Sequence, residues 1–77
     1  MIYVASPYST PIRTVLEERV RRVTAFTAKL IAEGAPAFSP IVYFHPMAQV
    51  LALPTDAQYW HYINMAFMRK ADAVFLH

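Results

Sequence analysis

The first nine residues constrain the fold more than any other stretch. Ile2-Tyr3-Val4-Ala5 is a continuous apolar run that breaks at Ser6-Pro7-Tyr8-Ser9 and gives way to a long segment of helical periodicity. An apolar run this short, with no polar alternation, reads as a strand covered on both faces, as in parallel sheets. A strand, a turn and a helix in that order predict a β-α-β chain, because parallel neighbours need crossovers. In open α/β sheets ligands sit outside the carboxyl ends of the strands. The hydroxyls of Ser6, Tyr8 and Ser9 therefore fall where a binding site would lie, the alternative being local turn hydrogen bonding.

The spacing of Thr14-Val15-Leu16-Glu17 is that of a capping box and predicts a helix start at Thr14. Leu16, Val20, Val23, Thr27, Leu30 and Ile31 recur at helical spacing as one apolar face, and Glu33-Gly34 supplies the stop. A second strand is expected at about residues 36–39. Pro40 and Pro46 lack the amides that a central strand needs, so the segment after it is expected to be a ligand-side loop, with a helical turn near residues 47–50. Thr55-Asp56-Ala57-Gln58 repeats the capping-box spacing behind Pro54 and opens a second helix, with Trp60, Ile63, Phe67 and Ala71 as its buried stripe and Arg69-Lys70 in its last turn. Residues 72–77 read as a third strand, with Asp72 capping its start or pairing with a basic neighbour. The expectation is one domain over residues 1–77, of α/β class, with a short parallel sheet of about three strands.

Composition narrows the partners. A chain of 77 residues buries only about two-thirds of its unfolded surface, and with no cysteine it has neither disulfides nor thiol chemistry. A hydrophobic share of 57% is high for that length, so a homo-oligomer, or chain beyond these residues, is expected to cover part of the apolar surface. Five of the seven basic residues lie between Arg13 and Lys29, but the net charge is only +2. That distribution reads as a solvated helix face and argues against a nucleic-acid partner. No apolar stretch reaches the ~20 residues of a membrane span, and the N-terminus lacks the order of a signal peptide; a cytoplasmic protein is expected. A single glycine excludes a glycine-rich phosphate loop. His45, His61 and His77 lack ligand spacing, so neither a metal nor a cofactor is expected.

Three segments together, Ile2-Tyr3-Val4-Ala5-Ser6-Pro7-Tyr8-Ser9, Phe38-Ser39-Pro40-Ile41-Val42 with His45-Pro46, and Trp60 to Asp72, resemble the nucleoside 2-deoxyribosyltransferase-like superfamily. Within it they are similar to small bacterial and phage members. The resemblance implies a flavodoxin-like, Rossmann-like three-layer fold that binds a nucleoside or nucleotide at the carboxyl ends of its strands. In the enzymes of that superfamily a glutamate attacks the anomeric carbon of a deoxyribose and a covalent intermediate is resolved by a base or water. That glutamate follows the third strand, where these residues stop, which leads one to expect a chain truncated relative to the family. Asn64 also stands where similar sequences more often carry an aspartate, and asparagine hydrogen-bonds without exchanging a proton near neutral pH.

The resemblance assigns substrate contacts to Ser6, Tyr8, Ser9, Ser39, His45, Trp60 and Asn64. Ser39 repeats from the second strand the part of Ser6, and His45 would be a general acid or phosphate contact, or else a packed structural residue. Trp60 would stack a base or belong to the core, and Asn64, one turn along the same face, would meet a ligand or a partner in a satisfied buried contact. No catalytic residue is assigned. The resulting expectation is a nucleoside- or nucleotide-binding protein related to deoxyribosyltransferases or nucleotide hydrolases; if active, it would be a deoxyribosyltransferase or a nucleoside (mono)phosphate N-glycosidase. The alternatives are a non-catalytic phage-type binder that sequesters a nucleotide-derived ligand as an oligomer, and an inactive fragment of a longer enzyme.

Overall fold

A computed structural model describes residues 1–54 and 57–77. The elements run β1 (Ile2–Ala5), α1 (Arg13–Ala32), β2 (Ala37–Phe38), α2 (Pro40–Leu51), α3 (Ala57–Arg69) and β3 (Ala73–Leu76). The three strands form one parallel sheet in the order β2-β1-β3, with Ile2 opposite Ala37 and Ala73, and Tyr3 opposite Phe38 and Val74. The architecture is the small α/β fold expected from the sequence. Among the described residues no helix is long and apolar enough to cross a membrane.

Side chains alternate across a strand, and the sheet is faced on both sides accordingly. Val4 points to one face, where it forms the core cluster with Val23 of α1 and Ile41 of α2; Val4 and Val23 are both fully buried. Phe75, opposite Val4, meets Phe26 of α1 on that same face, with ring centroids 4.7 Å apart. Tyr3 and Phe38 point to the other face, where Phe38 stacks on Phe67 of α3 at 4.4 Å and 15°. The sheet therefore lies between α1 and α3. Val74, Phe75 and Leu76 of β3 keep exposed apolar surface. Asp72, ahead of β3, pairs with the amino group of Met1, which holds its carboxyl below the usual carboxylate range.

α1 begins at Arg13, and the expected Thr14–Glu17 box does not form. Pro11 carries the chain in extended form to an N-cap at Ile12 that has no side-chain bond, while Thr10 Oγ1 accepts from the Ile12 amide at 3.3 Å. Glu17 is taken by Arg13, one turn back, at 3.0 Å. On the buried face Val23 and Thr27 are fully covered and Phe26 joins the core, whereas Ile31 is 56% exposed. Buried Thr27 is satisfied by its own helix, donating to the Val23 carbonyl at 2.7 Å. On the outer face Arg21 and Arg22 hold the Glu18 carboxyl down to about 2. Gly34, at φ +89°, turns the chain out of α1 as the sequence predicts.

The largest correction concerns residues 40–51, which form a twelve-residue helix rather than a loop with a single turn. Pro40 occupies the first helical position, where an amide would have no intrahelical partner anyway. Ser39 is the N-cap, its Oγ accepting from the Val42 amide at 3.2 Å. Pro46 lies inside the helix on its exposed side and removes one ladder bond, while Ile41, Phe44, His45 and Ala48 bury the opposite face. The helix stops at Ala52 in a left-handed conformation, φ 53° and ψ 40°. The capping residues Thr55 and Asp56 expected for α3 lie outside the described residues. Of its predicted stripe Trp60 and Phe67 are half-buried, Ile63 is 37% exposed, and Ala71 falls beyond the helix.

Val23→Ala is expected to lower the unfolding free energy by about 2 kcal/mol, seen as a lower urea midpoint. Tyr62→Ala, at a side chain 84% exposed, should stay within about 0.5 kcal/mol of the parent. Ala52→Gly should raise stability by about 1 kcal/mol, because glycine takes the left-handed conformation without the Cβ penalty.

Candidate functional site

The order β2-β1-β3 puts β1 at the centre, with the chain leaving its carboxyl end towards one side of the sheet while β3 lies on the other. A crevice opens at such a switch point. A cavity of about 470 Å³ is found there, walled by three segments. β1 and its turn contribute Tyr3 and residues 5–9; α2 contributes Pro40, Ile41, Phe44, His45 and Ala48; α3 contributes Trp60, His61, Asn64, Met65 and Met68. The two helical sets share one spacing, i, i+1, i+4, i+5, i+8, which is a single helix face in each case.

Six of the seven expected contact residues, Ser6, Tyr8, Ser9, His45, Trp60 and Asn64, line this cavity. Ser39 is absent from the wall: its hydroxyl is buried as the cap of α2. By starting α2 there, it sets the phase that turns Phe44 and His45 into the cavity. Trp60 lines the cavity while packing on Phe44 at 4.8 Å and donating its Nε1–H to the Pro54 carbonyl at 2.8 Å, so its plane is fixed from outside the site.

The turn after β1 is held by a residue that sequence reading does not single out. Arg19, on α1, donates from Nη1 to the carbonyls of Ser9 at 3.0 Å and Tyr8 at 3.4 Å. The Tyr8 hydroxyl in turn shares a hydrogen bond of 2.6 Å with Nδ1 of His45, the rings meeting edge-on at 5.6 Å. Burial pushes the Tyr8 hydroxyl upward and pushes His45 downward, the latter partly opposed by the carboxylate of Glu17. Both shifts favour the neutral forms, so the pair is a tyrosine and an imidazole joined by one proton.

Two polar atoms stand out in the wall. Ser6 Oγ and Asn64 Oδ1 are shielded from solvent and make no hydrogen bond within the protein, although buried polar atoms nearly always have a partner. They belong to residues of different elements, the β1 turn and α3, that line the same cavity. Met65, Met68 and Phe44 supply apolar surface beside them. Periodicity could have found this wall, since Met65 and Met68 follow Asn64 at helical spacing, but the α2 wall is invisible while residues 40–51 are read as a loop. Among the described residues no group of three His, Cys, Asp or Glu side chains is arranged to hold a metal ion.

These features define a small parallel-sheet α/β protein with a cavity at its topological switch point. The chain belongs to the DUF1937 family, described as a domain of unknown function, whose sequence model matches residues 1–77. No curated protein matches the chain.

Because the His45 pKa is depressed on folding, the unfolded chain binds this proton more readily than the folded one. The corresponding stability is complete above the ordinary value of 6.5 and is lost as pH falls through it towards the folded value. Urea midpoints measured from pH 8 to pH 5.5 should fall with pH in the parent and flatten in His45→Gln. An equally steep fall in the variant would place the titrating group elsewhere.

Proposed function

We propose that the chain binds a nucleoside or nucleotide in the cavity beside the β1 turn, in keeping with its resemblance to the nucleoside 2-deoxyribosyltransferase-like superfamily. The observation that carries this reading is the pair of unpartnered, shielded polar atoms, Ser6 Oγ and Asn64 Oδ1, which belong to residues lining one cavity from two elements. A buried acceptor without a partner costs about 1–3 kcal/mol, and a ligand that donates to it recovers much of that. A nucleoside matches the wall in kind: a flat apolar body for Phe44, Trp60, Met65 and Met68, with polar edges and sugar hydroxyls for Ser6, Tyr8 and Asn64. The volume is also of the order of a small-molecule site.

A second reading, cleavage of the N-glycosidic bond, is favoured by the Tyr8–His45 pair. In that reaction water adds to the anomeric carbon, the bond to the base breaks, the pair hands a proton to the departing nitrogen, and the proton released by the added water restores the pair.

Titration calorimetry of the protein with deoxynucleosides and their monophosphates tests binding, and chromatography of the same mixtures for free base tests cleavage. Asn64→Ala is expected to weaken binding about tenfold, and Ser6→Ala several-fold, as each removes one hydrogen bond. Saturable binding without released base leaves the binder reading alone, and base release lost in His45→Gln selects the enzyme. Absence of heat with every ligand overturns both.

A further inference from the structure

We infer that the cavity is built for an uncharged nucleoside and discriminates against its phosphorylated form; this rests on the proposed nucleoside site. All seven lysines and arginines lie among the described residues, and none lines the cavity. Arg19, the guanidinium that reaches the β1 turn, gives its Nη1 to the Tyr8 and Ser9 carbonyls. It belongs to a separate surface groove with Thr14, Val15, Glu18 and Arg22. Arg13 pairs with Glu17, while Arg21 and Arg22 pair with Glu18.

The other common way to hold a phosphate is a helix N-terminus with free amides. α2 begins at the cavity wall, but its first turn is already spent. Pro40 has no amide hydrogen, the Val42 amide is taken by Ser39 Oγ, and the Tyr43 amide by the Ser39 carbonyl. At most the Ile41 amide is left. What the cavity offers instead is a set of uncharged groups: the Ser6 hydroxyl, the Tyr8 hydroxyl, the Asn64 carboxamide and the imidazole of His45, whose neutral form burial favours. These suit sugar hydroxyls and base edges. A phosphate brought among them loses hydration with no counter-charge in return: Asn64 Oδ1 is an acceptor and gives its oxygens nothing, and neutral O–H donors such as that of Ser6 do not balance its charge.

Calorimetry at pH 8 on the full chain decides this with matched ligands: deoxyadenosine and thymidine, their 5′-monophosphates, and their 5′-O-acetyl derivatives, which add bulk without charge. Each nucleoside is expected to bind at least about fivefold more tightly than its monophosphate, with the acetyl derivative within about twofold of the nucleoside. A smaller or inverted ratio to the monophosphate overturns the inference and leaves the nucleoside or nucleotide site standing. An acetyl derivative weakened beyond twofold overturns it too, by assigning the discrimination to size. No binding by any of the six removes the proposed site, and this inference with it.

Discussion

Every other element is located by β1. Its backbone is hydrogen-bonded on both edges, to β2 and to β3, and its side chains are covered on both faces, Val4 by α1 and α2 and Tyr3 on the side of α3. A four-residue strand has little area of its own, so its position is secure only because all four directions are filled at once. That is why the apolar run at residues 2–5 carries no polar interruption: a charge at Val4 would meet the core cluster, and one at Tyr3 the aromatic layer of Phe38 and Phe67. Once β1 is fixed, the turn at its carboxyl end has one place to go.

The turn itself contains two prolines and four polar side chains and makes little core of its own. Its shape comes from neighbours: Arg19 ties its carbonyls to α1, and His45 ties the Tyr8 ring to α2. The polar surface of the cavity is thus anchored from two helices that sit on the sheet. A rigid scaffold holding a polar turn is the usual way in which a binding loop gains definition without burying its own backbone. In this chain the anchoring bonds are made to main-chain oxygens and to a neutral ring nitrogen, so the turn is held without placing a formal charge in the cavity.

The sheet, the long first helix and its glycine stop were legible in the sequence, because hydrophobic period and turn chemistry agree there. The α2 helix was not. Its two prolines were read as punctuation, yet proline at the first helical position costs nothing, and Pro46 faces solvent, where the loss of one ladder bond is offset by the burial of Ile41, Phe44 and Ala48. The same misreading hid the role of Ser39, which is a cap because a helix follows it. Thr14 failed for the converse reason: the box spacing is present, but Pro11 starts the helix early and Arg13 claims Glu17. Local motifs of three or four residues are overruled by a proline or a charge one position away. Six of the seven residues expected at a site line one cavity, since their places depend only on which strand end or helix face they occupy.

The stability of these residues bears on the proposed site. Native domains hold about 0.05–0.15 kcal/mol per residue, so 77 residues leave a margin in which one or two unpartnered buried polar atoms, at about 1–3 kcal/mol each, are a large fraction. Replacing Asn64 and Ser6 by apolar residues of similar size would be the simplest route to a more stable protein, and the chain does not take it. A ligand present at a hundred times its dissociation constant returns about 2.7 kcal/mol to the folded state, the same scale as the deficit. On the proposed reading, occupancy of the cavity between β1, α2 and α3 offsets a cost of the same scale as the one the two orphan atoms impose on the free protein.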